Sequence, residues 1–325
     1  MSNRVLSGIR ATGRLHLGNY LGAIKGMIEL QNNPQYETFY MVADAHTITT
    51  PFSIEELRKN RQEIIIDYLA AGLNPEKSTL FIQSQVDEHF ELAFYFSSIE
   101  TIARMMHLPT YKDKVKQYPK NNTMALLNYP ILMAADILLY RANLVPVGID
   151  QEPHLEVARE IAKKMNQIYK TNFPEPQRFA TKGEYIPSLT GEGKMSKSVE
   201  GSYINLTDSL DEIRKKIRKV PTAKTAGGPI VGGIKTLFML GEIFFPKNLY
   251  EEFKEKYHNQ TLKFAELKDA LVETIFAELK PFQERRKQIA SDLSYVKKAI
   301  KEGVEKARSV AQETLKEVKE KMGLN

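Results

Sequence analysis

The chain has no cysteine, which excludes disulfides and any cysteine-ligated zinc or iron–sulfur centre. It also lacks a long apolar run. No stretch approaches the roughly 20 residues needed to cross a bilayer, and no secretory leader precedes the first apolar segment. The expectation is a soluble cytoplasmic protein with no membrane partner. The six histidines show no ligand spacing on a shared face, so no dedicated metal site is expected. Internal repeats and low-complexity tracts are lacking as well. An excess of either charge is lacking in the first two thirds: residues 1–202 hold 22 basic and 22 acidic side chains, whereas residues 203–325 hold 24 and 18. The whole net charge of +6 therefore lies in the C-terminal part, and a basic module beside a neutral one suits a polyanionic partner such as RNA. A length of 325 residues accommodates one large domain and a smaller one.

Two stretches carry the chemistry. Val5-Leu6-Ser7-Gly8-Ile9 reads as a buried first strand. Gly13-Arg14-Leu15-His16-Leu17-Gly18-Asn19 follows, and then apolar residues recur at helical spacing from Tyr20 to Leu30. A strand, a glycine-bearing turn and a helix start make an anion site, because the first N–H groups of a helix have no partner within it. Gly18 lets a flat ring or phosphate approach the backbone, and His16 is placed to offer a proton or a positive charge. Far along the chain stands Gly191-Glu192-Gly193-Lys194-Met195-Ser196-Lys197-Ser198. Two lysines on a small-residue loop can wrap a polyphosphate as mobile point charges.

The rest of the first two thirds alternates strands with helices. Phe39 to Asp44, Ser78 to Gln83 and Leu144 to Gly148 read as further strands, ending at the polar residues His46, Asp150, Gln151 and His154. Ser53 and Glu56 cap a helix that Gly72 stops. A long helical stretch over 87–106 holds Phe90, Phe94, Tyr95 and Phe96, and 111–122 reads as a mobile charged loop. The helix over 124–140 is apolar nearly all round, and Asp136 is its only charge. A buried carboxylate needs a partner, so Asp136 is expected to bind a ligand, its loss costing folding little. The alternation predicts an α/β fold, a doubly wound parallel sheet of Rossmann-like type, with an all-α C-terminal domain. The boundary is expected at 202/203, with a helical insertion around 87–122. After 203 helices are expected at 235–241, 249–257, 262–280 and 282–292, and a long final helix over 294–322 is expected to pack back toward the first domain.

The strings His16-Leu17-Gly18-Asn19 and Lys194-Met195-Ser196-Lys197-Ser198 together resemble the two signature motifs of the class I aminoacyl-tRNA synthetases. Within that class, Tyr129-Pro130-Ile131-Leu132-Met133-Ala134-Ala135-Asp136-Ile137-Leu138 and Val145-Pro146-Val147-Gly148-Ile149-Asp150-Gln151 look like the tryptophanyl branch of bacterial type. The spaced His154-Leu155-Glu156, residues 80–85 and the ending with Lys306-Ala307-Arg308 and Met322-Gly323-Leu324 look the same.

The resemblance implies ATP-dependent activation of L-tryptophan and its transfer to tRNA(Trp) by a homodimer, with ATP carrying Mg²⁺. It implies Lys194, Lys197 and His16 as catalytic residues. Around ATP it places Arg10, Ala11, Thr12, Gly18, Asn19, Gly148, Ile149, Asp150, Ile186, Met195, Ser196 and Ser198 with the two lysines. Around tryptophan it places Asp136 as acceptor of the indole N–H, with Tyr129, Met133, Val145, Val147, Gln151, His46 and Gly8. Closure of the lysine loop then completes the site when both substrates are bound.

The chain departs from the common pattern at Arg10-Ala11-Thr12, where Gln-Pro-Ser is usual, and at Ile149, where an acidic residue is common. The loops before the lysine motif and at 222–233 look short. A tyrosyl enzyme is the nearest alternative, but it usually carries glutamine where Met133 stands. A small nucleotidyltransferase would not need the C-terminal module, and a binding paralogue with weakened activation would not need Lys194, Lys197 and His16.

Overall fold

The computed structural model describes residues 3–180, 185–197 and 199–324. Five parallel strands form one sheet in the order β3-β2-β1-β4-β5: β1 is Asn3–Arg10, β2 Tyr36–Ala43, β3 Ser78–Ile82, β4 Leu144–Pro146 and β5 Gln177–Phe179. β1 and β2 pair along their whole length, from Asn3 opposite Tyr36 to Arg10 opposite Ala43. The apolar runs of β2 and β3 are buried throughout their central residues, as strands covered on both faces must be. Chain order runs outward on one side of β1 through β2 and β3, and on the other side through β4 and β5. The order thus reverses between β1 and β4, and ligands of such sheets bind beyond the carboxyl ends of the strands there.

Two compact units emerge, and neither is a single segment. The first comprises 1–13, 25–181 and 292–325, the second 14–24 and 182–291. The boundary expected at 202/203 therefore lies inside the second unit, and the histidine turn leaves the sheet's unit to join the lysine loop's. In the first unit the final helix, Leu293–Met322, crosses β3 at Gly303, where a Cβ would lie 1.8 Å from the Leu80 carbonyl oxygen. Only glycine fits that crossing. Lys319 pairs with Glu91 at 2.9 Å farther along the same helix.

Three local expectations are corrected. The stretch over 87–106 is two helices, Glu88–Ser97 and Ile102–Met106, because the Thr101 side chain accepts from the Arg104 N–H and starts a new helix. The segment expected to be a mobile loop holds a helix, Pro109–Gln117, and a 3₁₀ turn, Pro119–Asn121. Buried Tyr111 ties it down by donating to Asn122 Oδ1 at 2.8 Å, a tertiary contact that apolar periodicity does not register. In the second unit, Phe264–Ser291 is one helix that continues through Pro281, where two helices were expected. Strand β5 was not anticipated, since three residues pairing only with β4 leave almost no pattern. The helices Ile54–Ala71, ended by Gly72 at φ +113°, and Leu210–Arg218, opened by the Ser209–Glu212 capping box, form where their caps stand.

Candidate active site

In the first unit, residues just beyond the carboxyl ends of β2 and β3 meet the apolar helix Met124–Leu139. Thr123 caps that helix by accepting from the Leu126 N–H. Its Asp136, 1 % exposed, does not sit unpaired. His46 Nε2 lies 2.7 Å from Oδ2, while Gln83 Nε2 at 2.8 Å and His89 Nδ1 at 2.6 Å lie on Oδ1. The far side of His89 meets the buried Tyr140 hydroxyl at 2.9 Å. Burial alone would raise the Asp136 carboxyl, but His46 and His89, through charge and hydrogen bonding, outweigh it and hold the group below the ordinary carboxylate value. This corrects the expectation that Asp136 could be removed at little cost to folding. Three buried donors would lose their acceptor. A carboxylate offers about four acceptor positions, so one remains for a ligand N–H.

His46 joins this network to a second one. Its ring meets Tyr129 edge-on, centroids 6.5 Å apart. Tyr129 Oη lies 2.7 Å from His154 Nε2 and 2.8 Å from Thr110 Oγ1, and His154 Nδ1 lies 3.0 Å from Gln151 Oε1. Met133, Val147 and Tyr129 line the apolar core at half-buried positions, with Val145 fully buried. Gly8 serves packing: a Cβ there would lie 2.6 Å from Met41 Cγ. At the end of β1, Arg10 donates to Thr50 Oγ1 at 3.0 Å, while its buried Nε has no partner among the described residues. Burial lowers the Arg10 guanidinium, and burial together with Arg10 lowers the Lys114 ammonium. The two cations are close enough to repel each other. Lys114, hidden in a segment read as a loop, is thus a candidate the sequence did not single out. Its only signal was the density of lysines at 112, 114, 116 and 120. Ala11 is buried, and Thr12, Ile149 and Asp150 are exposed, Ile149 by 61 %.

The second unit assembles the two signature stretches. Leu17 N–H donates to the Ile204 carbonyl at 2.8 Å and Leu206 N–H to that of Leu15 at 3.0 Å. His16 is 6 % exposed and caps the helical turn Leu17–Asn19, its Nδ1 accepting from Asn19 N–H at 3.3 Å while Asn19 Oδ1 accepts from His16 N–H at 3.2 Å. Nδ1 being an acceptor, the ring proton sits on Nε2. Burial, then Lys197 and Lys194, push the imidazole down to about 3. His16 is therefore neutral near pH 7. Of the two expectations for His16, a proton or a positive charge, this leaves the proton, as a hydrogen-bond donor. A Cβ on Gly18 would lie 2.9 Å from the His16 ring and 3.5 Å from Met195, so this glycine makes room for its own motif.

In the lysine loop, Met195 N–H donates to the Ile186 carbonyl at 2.8 Å, both residues being buried, and Ser188 N–H to that of Gly193 at 3.0 Å. Gly191 and Gly193 stand at φ +90° and +71°. These contacts anchor Met195 while Lys194 is exposed and Ser196 and Lys197 are half-buried. Ser198 lies outside the described residues.

The buried histidines set an acid limit on stability. His16 and His154 are held down to about 3 and about 4, chiefly by burial, against about 6.5 unfolded. Below pH 6.5 the unfolded chain then binds more protons than the folded one, so stability is full above about pH 6.5 and falls as pH drops toward 4, by about 3 kcal/mol per histidine at most. The melting temperature is expected to fall across that window, and less steeply in His154→Asn. A flat profile from pH 6.5 to 4 would contradict the buried neutral imidazoles.

The model of the family described as tRNA synthetases class I (W and Y) matches residues 1–280. The tryptophan–tRNA ligase of Porphyromonas gingivalis is 39 % identical over 328 residues, covering 98 % of each chain. That of Helicobacter pylori is 40 % identical over 334 residues, covering 99 % of this chain and 98 % of its own. Among solved structures, the tryptophanyl-tRNA synthetase of Campylobacter jejuni complexed with ADP and tryptophan superposes with a TM-score of 0.85 at 32 % identity, over 99 % of this chain and 100 % of its own. The enzyme of Mycoplasma pneumoniae gives 0.88 at 31 %, over 100 % and 99 %.

Proposed function

The chain belongs to the class I tRNA synthetases for tryptophan and tyrosine, and from that premise we propose that it activates L-tryptophan with ATP and transfers it to tRNA(Trp). The observation that carries tryptophan over tyrosine is near 40 % identity along the full length of tryptophan–tRNA ligases. Apolar Met133 beside a buried carboxylate supports the same choice.

The first unit takes the amino acid. Asp136 accepts the indole N–H in a pocket lined by Tyr129, Met133, Val145, Val147, Gln151, His46 and Gly8. Phenylalanine would leave that acceptor unmatched, and sites built on a polar match reject such analogues strongly. The tryptophan carboxylate attacks the α-phosphorus of ATP, pyrophosphate leaves, and a ribose hydroxyl of the tRNA terminus then displaces AMP. Charge is neutralised rather than covalent bonds made to the protein. Lys194 and Lys197 meet the phosphates, neutral His16 donates from Nε2, and Arg10 with Lys114 offers a further cationic position. Ala11, Thr12, Gly18, Asn19, Gly148, Ile149, Asp150, Ile186, Met195, Ser196 and Ser198 are proposed around the nucleotide.

Among the described residues no group of three His, Asp or Glu side chains is placed to hold a metal, so Mg²⁺ is proposed to arrive on the ATP phosphates. No described helix is long and apolar enough to cross a membrane; a cytoplasmic location is part of the proposal. So is tRNA recognition by the basic helical segment after residue 203, the final helix excepted. A homodimer is supported by Phe94, 74 % exposed, with Phe90, Ile102 and Met106 also exposed nearby in sequence.

The test is ATP–pyrophosphate exchange with tryptophan, with tyrosine and with no amino acid. Exchange with tryptophan alone is expected. Equal exchange with tyrosine, or none with tryptophan, would overturn the assignment.

A further inference from the structure

We propose that Arg308, on the final helix, is a positioning residue for tryptophan recognition: it clamps the turn after β3 so that Gln83 and His89 keep the Asp136 carboxylate aimed at the indole N–H. The inference rests on the reading of Asp136 as the indole acceptor and names what holds that acceptor in place.

Two contacts lie in step along the final helix and β3. At Gly303 the helix backbone comes so close to β3 that a Cβ would lie 1.8 Å from the Leu80 carbonyl oxygen. Five residues farther along both segments, Arg308 Nη2 donates to the Gln85 carbonyl oxygen. Arg308 Nε lies 4.0 Å from Glu88 Oε2, a buried oxygen with no hydrogen bond among the described residues. One rigid guanidinium fork thus spans both ends of the segment 85–88.

That segment joins two of the three groups on Asp136. Gln83 opens the 3₁₀ turn Gln83–Gln85 and is fully buried. Its Nε2 donates to Asp136 Oδ1 at 2.8 Å, and its Oε1 accepts from the Ala45 N–H at 3.1 Å. His89 follows Glu88 directly and places Nδ1 2.6 Å from the same Asp136 oxygen. The third group, His46, is the chain neighbour of Ala45 and lies 2.7 Å from Oδ2. From β2 the turn is tied at Ser84, whose N–H donates to Asp44 Oδ1 at 2.9 Å. Arg308 supplies the tie at its far end. Gln83 and His89 share one oxygen, so a drift of either turns the carboxylate, and a misplacement of about 1 Å can cost about 10²-fold. Exposed Arg308 acts through Gln85 and Glu88.

Arg308→Met keeps an apolar stem and removes the donors and the charge. In ATP–pyrophosphate exchange with the full-length protein, KM for tryptophan is expected to rise about tenfold with kcat within about threefold. Discrimination against the analogue with sulfur in place of the ring nitrogen should fall by about tenfold, on the scale of a hydrogen bond to a charged group. Lys319→Met is the control: it breaks the pair with Glu91 on the same helix, and both KM and discrimination should stay within about twofold. Hydrogen exchange at the Ala45 amide reads the turn without any substrate, since that N–H rests on Gln83 Oε1. Arg308→Met is expected to speed it about tenfold, and Lys319→Met to leave it within about twofold. Should Arg308→Met fail to fold, Arg308→Lys, which has no rigid fork to span both partners, is expected to lose discrimination by about threefold. Discrimination retained by the Arg308 variant, unchanged exchange at Ala45, or equal effects of the Arg308 and Lys319 variants overturns the proposal. If wild type used both ligands equally while Arg308→Met still released Ala45, the reading of Asp136 as indole acceptor would fall and the clamp on the turn would stand.

Discussion

Lys197→Ala is expected to slow tryptophan-dependent ATP–pyrophosphate exchange by about 10²–10³-fold, the scale of one transition-state donor removed, while tryptophan affinity stays within about twofold. The charges of Lys194 and Lys197 are close enough to His16 to help hold its imidazole down to about 3. That places two ammonium groups and one neutral N–H donor in the same part of the second unit. Such a set favours the polyphosphate most when charge moves onto the departing pyrophosphate. Single-turnover adenylate formation, beside equilibrium binding of tryptophan, distinguishes the outcomes. Equal losses in rate and in tryptophan affinity would make the loop a structural element and remove its catalytic role.

The second large effect is expected at Asp136, on two measurements at once. Asp136→Ala strips the acceptor from His46, Gln83 and His89, and each buried donor left unsatisfied costs about 1–3 kcal/mol of stability. Loss of the indole acceptor should cost a further 2–4 kcal/mol, roughly, in tryptophan activation. The stabilising contribution of the depressed carboxyl is present above the ordinary value of about 3.9 and is lost as pH falls through the lower folded value. Stability and recognition are separated by an analogue with sulfur in place of the ring nitrogen. Wild type should discriminate strongly against it, and Asp136→Asn, which keeps the volume, should discriminate less. If wild type used both ligands equally, Asp136 would be wholly structural and the indole would be read elsewhere.

Some features of this chain follow from local chemistry alone. The apolar runs of β1 and β2, the Ser53 and Ser209 caps, the αL glycine at 72 and the all-apolar helix around Asp136 are properties of a few neighbouring residues, and they form where that chemistry puts them. The two signature stretches were legible for the same reason: a phosphate-handling turn or loop must keep its residue types contiguous. Where the reading failed, the apolar pattern carried no signal. Tyr111 holds a lysine-rich segment as helix through Asn122, and the helix Phe264–Ser291 runs on through Pro281.

The charge states were the least legible. Sequence marks His16 and Asp136 as candidate site residues, but it does not give their protonation states or their partners. Burial makes His16 a neutral donor rather than a cation, and the tertiary fold gives Asp136 three donors drawn from positions 46, 83 and 89. A protonation state depends on the dielectric and the partners that folding assembles around the group. Residue types and motif spacing thus determined the family, the fold class and the candidate residues, while the tertiary structure alone decided which atoms donate, which accept and which are charged.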